Sequence, residues 1–183
     1  EIVHVMGFPA AKWLERSERE EEERTTLMVK SLKLKPGMTV ADIGAGEGYY
    51  TVRLADRVGA KGRVLAQDIN RGALDRLGER ISRERLDNVA IKEGGIDDPR
   101  LPANSFDRIF MVHMYHEVTE PYAFIWRMRS ALKTGGQVIV VDRDRARVAA
   151  EQGTAFVGAV HDGRRSAAVL EPFLRQPSTM PAD

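Results

Sequence analysis

Short β-branched apolar runs alternate along the chain with longer segments of helical spacing. Met38 to Ile43, Arg63 to Gln67, Val89 to Lys92, Phe106 to Val112 and Gln137 to Val141 read as strands. A helix is predicted through Tyr50, Val52, Leu54 and Ala55 to Val58. A second runs to about Arg83, with Asn70 as its cap. Thr119-Glu120-Pro121 opens a third, through Trp126 and Met128 to Leu132, which Gly135-Gly136 closes. Upstream, Ser17 and Glu20 form a capping box, Leu27, Met28 and Leu32 mark a helix face, and Pro36-Gly37 ends the helix. The Glu18 to Glu23 run suits the solvated first turns of that helix, where acids complement the dipole. Strands alternating with helices predict an α/β fold with a doubly wound parallel sheet, whose ligand belongs at the carboxyl ends of the central strands.

Composition narrows the chemistry. The 183 residues are 43% hydrophobic and 30% charged, the profile of one globular domain. Twenty-eight Lys and Arg against 27 Asp and Glu leave a net charge of +1, which gives no general electrostatic case for nucleic acid. The absence of Cys excludes disulfides, thiolate metal sites and cysteine nucleophiles. The longest apolar runs, Ile109 to Val112 and Gln137 to Val141, are far too short for a membrane span. No signal peptide is visible, so a cytoplasmic location is expected, although a chain that starts at Glu1 leaves the compartment open.

The glycine-rich turn after the first strand carries the cofactor argument. Such a turn brings backbone N–H groups against an anionic or polar ligand. The dinucleotide fingerprint G-x-G-x-x-G fails, because its final position is Tyr49, and no P-loop lysine is present. What stands instead is G-x-G-x-G behind a strand that carries an acid, Val40-Ala41-Asp42-Ile43-Gly44-Ala45-Gly46-Glu47-Gly48. Asp68 closes the second strand about 20 residues further on, where a carboxylate can accept both ribose hydroxyls.

This stretch resembles motif I of the class I S-adenosylmethionine-dependent methyltransferases. The resemblance runs from about Leu34 to Asp142, through Asp68, Leu101-Pro102…Ser105-Phe106-Asp107 and Leu132-Lys133-Thr134-Gly135-Gly136. It implies a Rossmann-like sheet and S-adenosylmethionine as cofactor. Gly44, Ala45, Gly46 and Gly48 would carry the methionine part, with Asp42 on the strand behind them. Asp68 would take the ribose, and Ile69 would offer an apolar face to the adenine. Relatives place an acid after the glycine that follows the third strand, whereas this chain has Gly95 in Glu93-Gly94-Gly95-Ile96-Asp97-Asp98. Backbone groups of Gly95 and Ile96 are then candidates to reach the ring. Asp97 either replaces the acid or caps the loop before Pro99.

Methyl transfer needs aligned reactants, worth about 7–11 kcal/mol, and a base only if the acceptor loses a proton. His113 and His116 in His113-Met114-Tyr115-His116-Glu117, at the end of the fourth strand, are the candidates for acceptor binding or proton removal. The alternative is that they cap the next helix or pack on Trp126. A metal held by the two histidines with Glu117 or Asp142 is the weaker reading, and no metal is expected. The Arg71 to Arg85 helix interleaves arginines with acids at helical spacing and reads as a solvated face. No Asn/Asp-Pro-Pro-Tyr/Phe follows the fourth strand, and the motifs most resemble the small-molecule group that includes ubiquinone and menaquinone biosynthesis methyltransferases. That implies a small or lipid-like acceptor. A cofactor-binding protein without turnover and an aminopropyl transferase are the alternatives.

The chain divides into an N-terminal helical segment (1–37), a cofactor-binding core (38–142) and a C-terminal part (143–183). Phe8, Trp13 and Leu14 suggest a lid over the site, or a helix packed on the sheet elsewhere. After Asp142 the crossover helix of the family looks curtailed. Thr154 to Val160 and Arg164 to Leu170 read as a hairpin around His161-Asp162-Gly163, with a helix over 146–160 as the competing reading. An uncovered sheet edge there would be completed irregularly or by a second subunit in a homodimer. Pro177 to Asp183 has nothing to bury and is expected to be mobile.

Overall fold

The computed structural model describes residues 25–143, 155–161 and 164–166. Helix α1 (Thr25–Ser31) precedes β1 (Thr39–Ile43), α2 (Tyr49–Val58), β2 (Arg63–Asp68), α3 (Arg71–Glu84) and β3 (Val89–Glu93). Then come β4 (Phe106–Val112), a 3-10 turn (Tyr115–Glu117), α4 (Pro121–Met128), a second 3-10 turn (Arg129–Ala131) and β5 (Leu132–Arg143). Strands β6 (Ala155–His161) and β7 (Arg164–Ser166) complete the sheet in the order β3-β2-β1-β4-β5-β6-β7. The first five are parallel, and β6 and β7 are each antiparallel to the strand before them. The strand order reverses between β1 and β4, so the turns after these two strands flank the crevice where doubly wound sheets bind ligands.

Burial on both faces explains the apolar strands. One face packs Val40, Val64, Phe110, Ile139 and Val141 against α1 and α2 through Met28, Val29, Leu54, Ala55 and Val58. The other packs Ala41, Ile43, Ile109, Met111 and Val140 against Phe124 and Met128 of α4. A smaller cluster, Ala45, Ala66, Leu74 and Leu77, ties α3 to β2 and to the glycine loop. Asn70 caps α3 as expected, its side chain accepting from the Ala73 N–H at 3.1 Å. Asn88, ahead of β3, donates from Nδ2 to the Ala55 and Gly59 carbonyls at 2.9 and 3.0 Å, closing the C-terminus of α2. Replacing Asn88 by Ala is expected to cost about 1–3 kcal/mol, because two hydrogen bonds are lost, although each carbonyl keeps a backbone donor in the Gly59 or Gly62 N–H. Urea denaturation that gives equal midpoints for the two proteins would rule this out.

Three local readings change. The buried face of α1 is Thr25, Met28, Val29 and Leu32, with Leu27 turned outward, so the helical phase differs from the one expected. The predicted cap at Ser17 and the lid residues Phe8, Trp13 and Leu14 lie outside the described residues. The helix expected to reach Leu132 stops at Met128, and Leu132 already pairs with Phe106 in the sheet. Gly135-Gly136 therefore lies within β5, at an irregularity where the register slips between Phe106 and Arg108. At the far edge, β6 pairs with β5 from Gln137 to Arg143 and β7 continues the hairpin. The chain itself thus supplies the edge pairing that the homodimer reading assigned to a second subunit. The strand pairing replaces the competing helix over its described part, 155–160, while Pro177 to Asp183 lies outside the described residues.

Candidate active site

The glycine loop is fixed from β2. Gly44 and Ala45 donate their N–H groups to the Gln67 carbonyl at 2.9 and 3.0 Å. The Asp68 carboxylate then joins two turns, with Oδ2 accepting from the Gly46 N–H and Oδ1 from the Asn70 N–H, both at 2.8 Å. Ile69 beside it is an apolar side chain left 38% exposed. Two arginines of α3 brace the loop from outside: Arg76 pairs with the Glu47 carboxylate and Arg80 reaches the Glu47 carbonyl at 3.4 Å. The arginine-bearing helix is therefore only partly the solvated face that its spacing suggested. Arg71–Asp75 and Arg80–Glu84 are the surface pairs expected at that spacing.

Behind the loop, Asp42 is fully buried on β1. Burial pushes its carboxyl up to about 7, the Thr51 hydroxyl works against that by donating to Oδ2 at 2.6 Å, and the nearby Asp68 charge adds to the rise.

The turn after β3 is self-contained. Gly95 donates to the Asp98 carbonyl at 2.7 Å, and the Asp98 carboxylate accepts from the Arg100 N–H at 2.7 Å. The loop-capping role considered for Asp97 thus falls to Asp98. Asp97 itself is exposed, its carbonyl held by Arg127 of α4, and Ile96 is 58% exposed.

The second wall of the crevice starts at His113, whose φ of +51° turns the chain sharply out of β4 while its N–H still bonds the Val141 carbonyl at 2.8 Å. Met114 then lies against Gly44, where an added Cβ would come within 2.9 Å of its Cγ. The 113–117 turn therefore sits directly beside the glycine loop. His116 faces Asp142 at the end of β5: Nδ1 is 2.7 Å from Oδ1, and the His116 backbone N–H donates to Oδ2 at 2.9 Å. Glu117 Oε1 stands 3.9 Å from His116 Nε2. Burial raises the Glu117 carboxyl, the His116 charge opposes this, and the charges of Asp68 and Asp142 push it further up. From the sequence Glu117 is one of the residues that end the fourth strand, and Asp142 a candidate only as a metal ligand. No group of three His, Asp or Glu side chains among the described residues is placed to hold a metal. Asp142 is brought to His116 by the pairing of β4 with β5, and its one sequence signal is an acid directly after an apolar run.

The residues present suit a nucleoside-bearing cofactor. Nothing lies within 4 Å of a Cβ built on Gly46, so the loop backbone is open toward the crevice, flanked by an acid and an apolar side chain. Fold and site together define a Rossmann-like domain of the class I methyltransferase type. Residues 34–168 match the family model described as a methyltransferase domain. A ubiquinone/menaquinone biosynthesis C-methyltransferase from Stenotrophomonas maltophilia is 32% identical over 120 residues, 62% of this chain and 46% of its own length. A Shewanella homologue of the same name is 33% identical over 110 residues, 59% and 43% of the two chains. The crystal structure of an S-adenosylmethionine-dependent methyltransferase from Aquifex aeolicus superposes with a TM-score of 0.68 at 31% identity, over 76% of this chain and 74% of that one. This chain belongs to the class I S-adenosylmethionine-dependent methyltransferase family. It spans about half the length of the curated relatives it matches.

Proposed function

We propose that this protein transfers a methyl group from S-adenosylmethionine to a small or lipid-like acceptor bound beside the 113–117 turn. Gly44, Ala45, Gly46 and Gly48 would hold the amino-acid end of the cofactor, Asp68 the ribose, and Ile69 the adenine, with Gly95, Ile96 and Asp97 along the far rim. Asp42 would sense the cofactor's positive charge from behind the loop. His113 and His116 would face the acceptor. The bound cofactor supplies a methyl group already activated on a sulfonium, so the protein's task is to hold both partners in line and to keep water out.

The observation that carries this reading is the Asp68 carboxylate, held at 2.8 Å by the Gly46 N–H at the carboxyl end of the sheet. The acceptor class leans on the printed names of the curated relatives, which act in quinone biosynthesis. Among the described residues no helix is long and apolar enough to cross a membrane. A cytoplasmic location is part of the proposal, and a homodimer is not, since β6 takes the edge that argued for one. Replacing Asp68 by Ala is expected to cost about 2–4 kcal/mol of cofactor binding, because charge-assisted hydrogen bonds are lost. Calorimetric titration with S-adenosylmethionine reads this directly, and unchanged affinity would remove Asp68 from the site. Incubation with methyl-labelled cofactor and a cell lipid extract tests the transfer. Label that appears in protein or RNA, or in nothing, would sink the acceptor class.

A further inference from the structure

We propose that His116 is the general base of this reaction and Asp142 its positioning residue, so that the acceptor is a molecule that surrenders a hydroxyl proton, phenolic or enolic, as it is methylated. The inference rests on the methyltransferase reading above and narrows its acceptor.

Asp142 is 4% exposed, directly after the apolar run Val138 to Val141 of β5, a costly place for a carboxylate. Each of its oxygens meets His116, Oδ2 at the backbone N–H and Oδ1 at the ring Nδ1. An acid that merely capped the 3-10 turn would need the first bond alone. The second orients the imidazole and favours a proton on Nδ1, which leaves the lone pair on Nε2. The His116 side chain is 40% accessible against 6% for Asp142, so the ring is open to solvent while the carboxylate that holds it is buried. The carboxylate facing Nε2, Glu117, stands 3.9 Å away, beyond hydrogen-bonding distance, so it does not draw the ring proton onto Nε2. It is close enough to stabilise the imidazolium that forms once the proton arrives. The placement agrees with the role, because Met114 in the same turn lies against Gly44 of the glycine loop.

The step balances without another reagent. The acceptor O–H bond breaks and its proton bonds to His116 Nε2. The electron pair left on the acceptor, on oxygen or delocalised onto a ring carbon, bonds the methyl carbon as the carbon–sulfur bond breaks with its electrons kept by sulfur. The imidazolium then returns its proton to water.

The test compares the unsubstituted protein with His116→Gln and Asp142→Asn, using catechol and thioanisole as acceptor probes. Thioanisole has no proton to lose. Both variants are expected to lower transfer to catechol by about 100-fold or more while keeping cofactor affinity within about twofold. Any transfer to thioanisole is expected to fall far less, since no proton has to leave it. Nitrogen-15 shifts of the imidazole, recorded with S-adenosylhomocysteine bound, are expected to place the His116 proton on Nδ1, and Asp142→Asn to move it toward Nε2. His116→Gln keeps an N–H donor available to the Asp142 carboxylate and stands in should Asp142→Asn fold poorly. Undiminished catechol transfer in His116→Gln overturns the proposal, as does transfer to thioanisole but not catechol by the unsubstituted protein. Whichever probe is accepted, a neutral ring with its proton on Nε2 in the unsubstituted protein also overturns it. Failure of that protein to bind S-adenosylmethionine would instead refute the methyltransferase reading itself.

Discussion

Asp42→Asn is expected to stabilise the protein increasingly as pH rises, by about 2–3 kcal/mol more at pH 8 than at pH 5. The folded carboxyl titrates at about 7 against a reference of 3.8, so between those values the folded state holds a proton that the unfolded chain has released. Stability of the unsubstituted protein therefore falls as pH climbs through this window and levels off above it. Asparagine keeps an acceptor for the Thr51 hydroxyl and never ionises, so the variant escapes that loss. Urea denaturation of both proteins at the two pH values measures the effect, with other titrating groups cancelling in the difference. Parallel curves would show that Asp42 does not titrate in this range.

The same substitution is expected to weaken cofactor binding at pH 8 and to matter little at pH 5. A cationic ligand in the crevice favours the ionised carboxyl, so binding near pH 7 should release a proton from Asp42. Calorimetry in buffers of differing ionisation enthalpy reads that proton, and the Asn variant should lack it. Retaining an acid here thus lowers the stability of the free protein in exchange for ligand response, a common trade at functional sites.

The parts of this molecule legible in its sequence are those set by local pattern. Strands β1 to β4 fall within a residue of the β-branched runs. Burial on both faces demands continuous apolar residues in the central strands β1 and β4, while the exposed edge strand β3 is legible from its β-branched residues alone. The Asn70 cap and the Asp68 strand end were likewise readable, each depending on neighbours within a few positions. What escaped depends on partners far along the chain. Gly136 reads as a helix stop, yet a Cβ there would lie 2.8 Å from the Phe106 carbonyl and 2.9 Å from that of Lys133. Its glycine answers to a close backbone approach across the sheet, invisible without knowing that Phe106 is the neighbour. Asp142 and His116 are 26 residues apart and meet only because β4 and β5 are adjacent. The phase of α1 was misjudged because Leu27 is apolar but faces outward, and a short helix offers few positions to correct the error.

Gly48→Ala is expected to destabilise the fold by about 2–5 kcal/mol, from two separable causes. The residue caps α2 at φ +86°, where a Cβ costs about 1–2 kcal/mol. That Cβ would also stand 2.4 Å from Leu77 Cδ1, and overpacking of this kind costs about 1–3 kcal/mol. Leu77 is wholly buried among Ala45, Ala66 and Leu74, so it cannot swing aside without leaving a void. Truncating it should therefore rescue part of the damage: Gly48→Ala with Leu77→Ala is expected to be about 1–3 kcal/mol more stable than the two single effects summed. Additive effects would remove the steric half of the argument. Gly46→Ala supplies the contrast, since its φ of +55° carries a similar backbone cost while nothing lies within 4 Å of the added Cβ. It should lose little more than the backbone strain in stability, yet weaken S-adenosylmethionine binding markedly, because the new methyl group projects into the space left for the cofactor. Two neighbouring glycines of one loop would then fail by different routes, Gly48 through the core and Gly46 through the ligand.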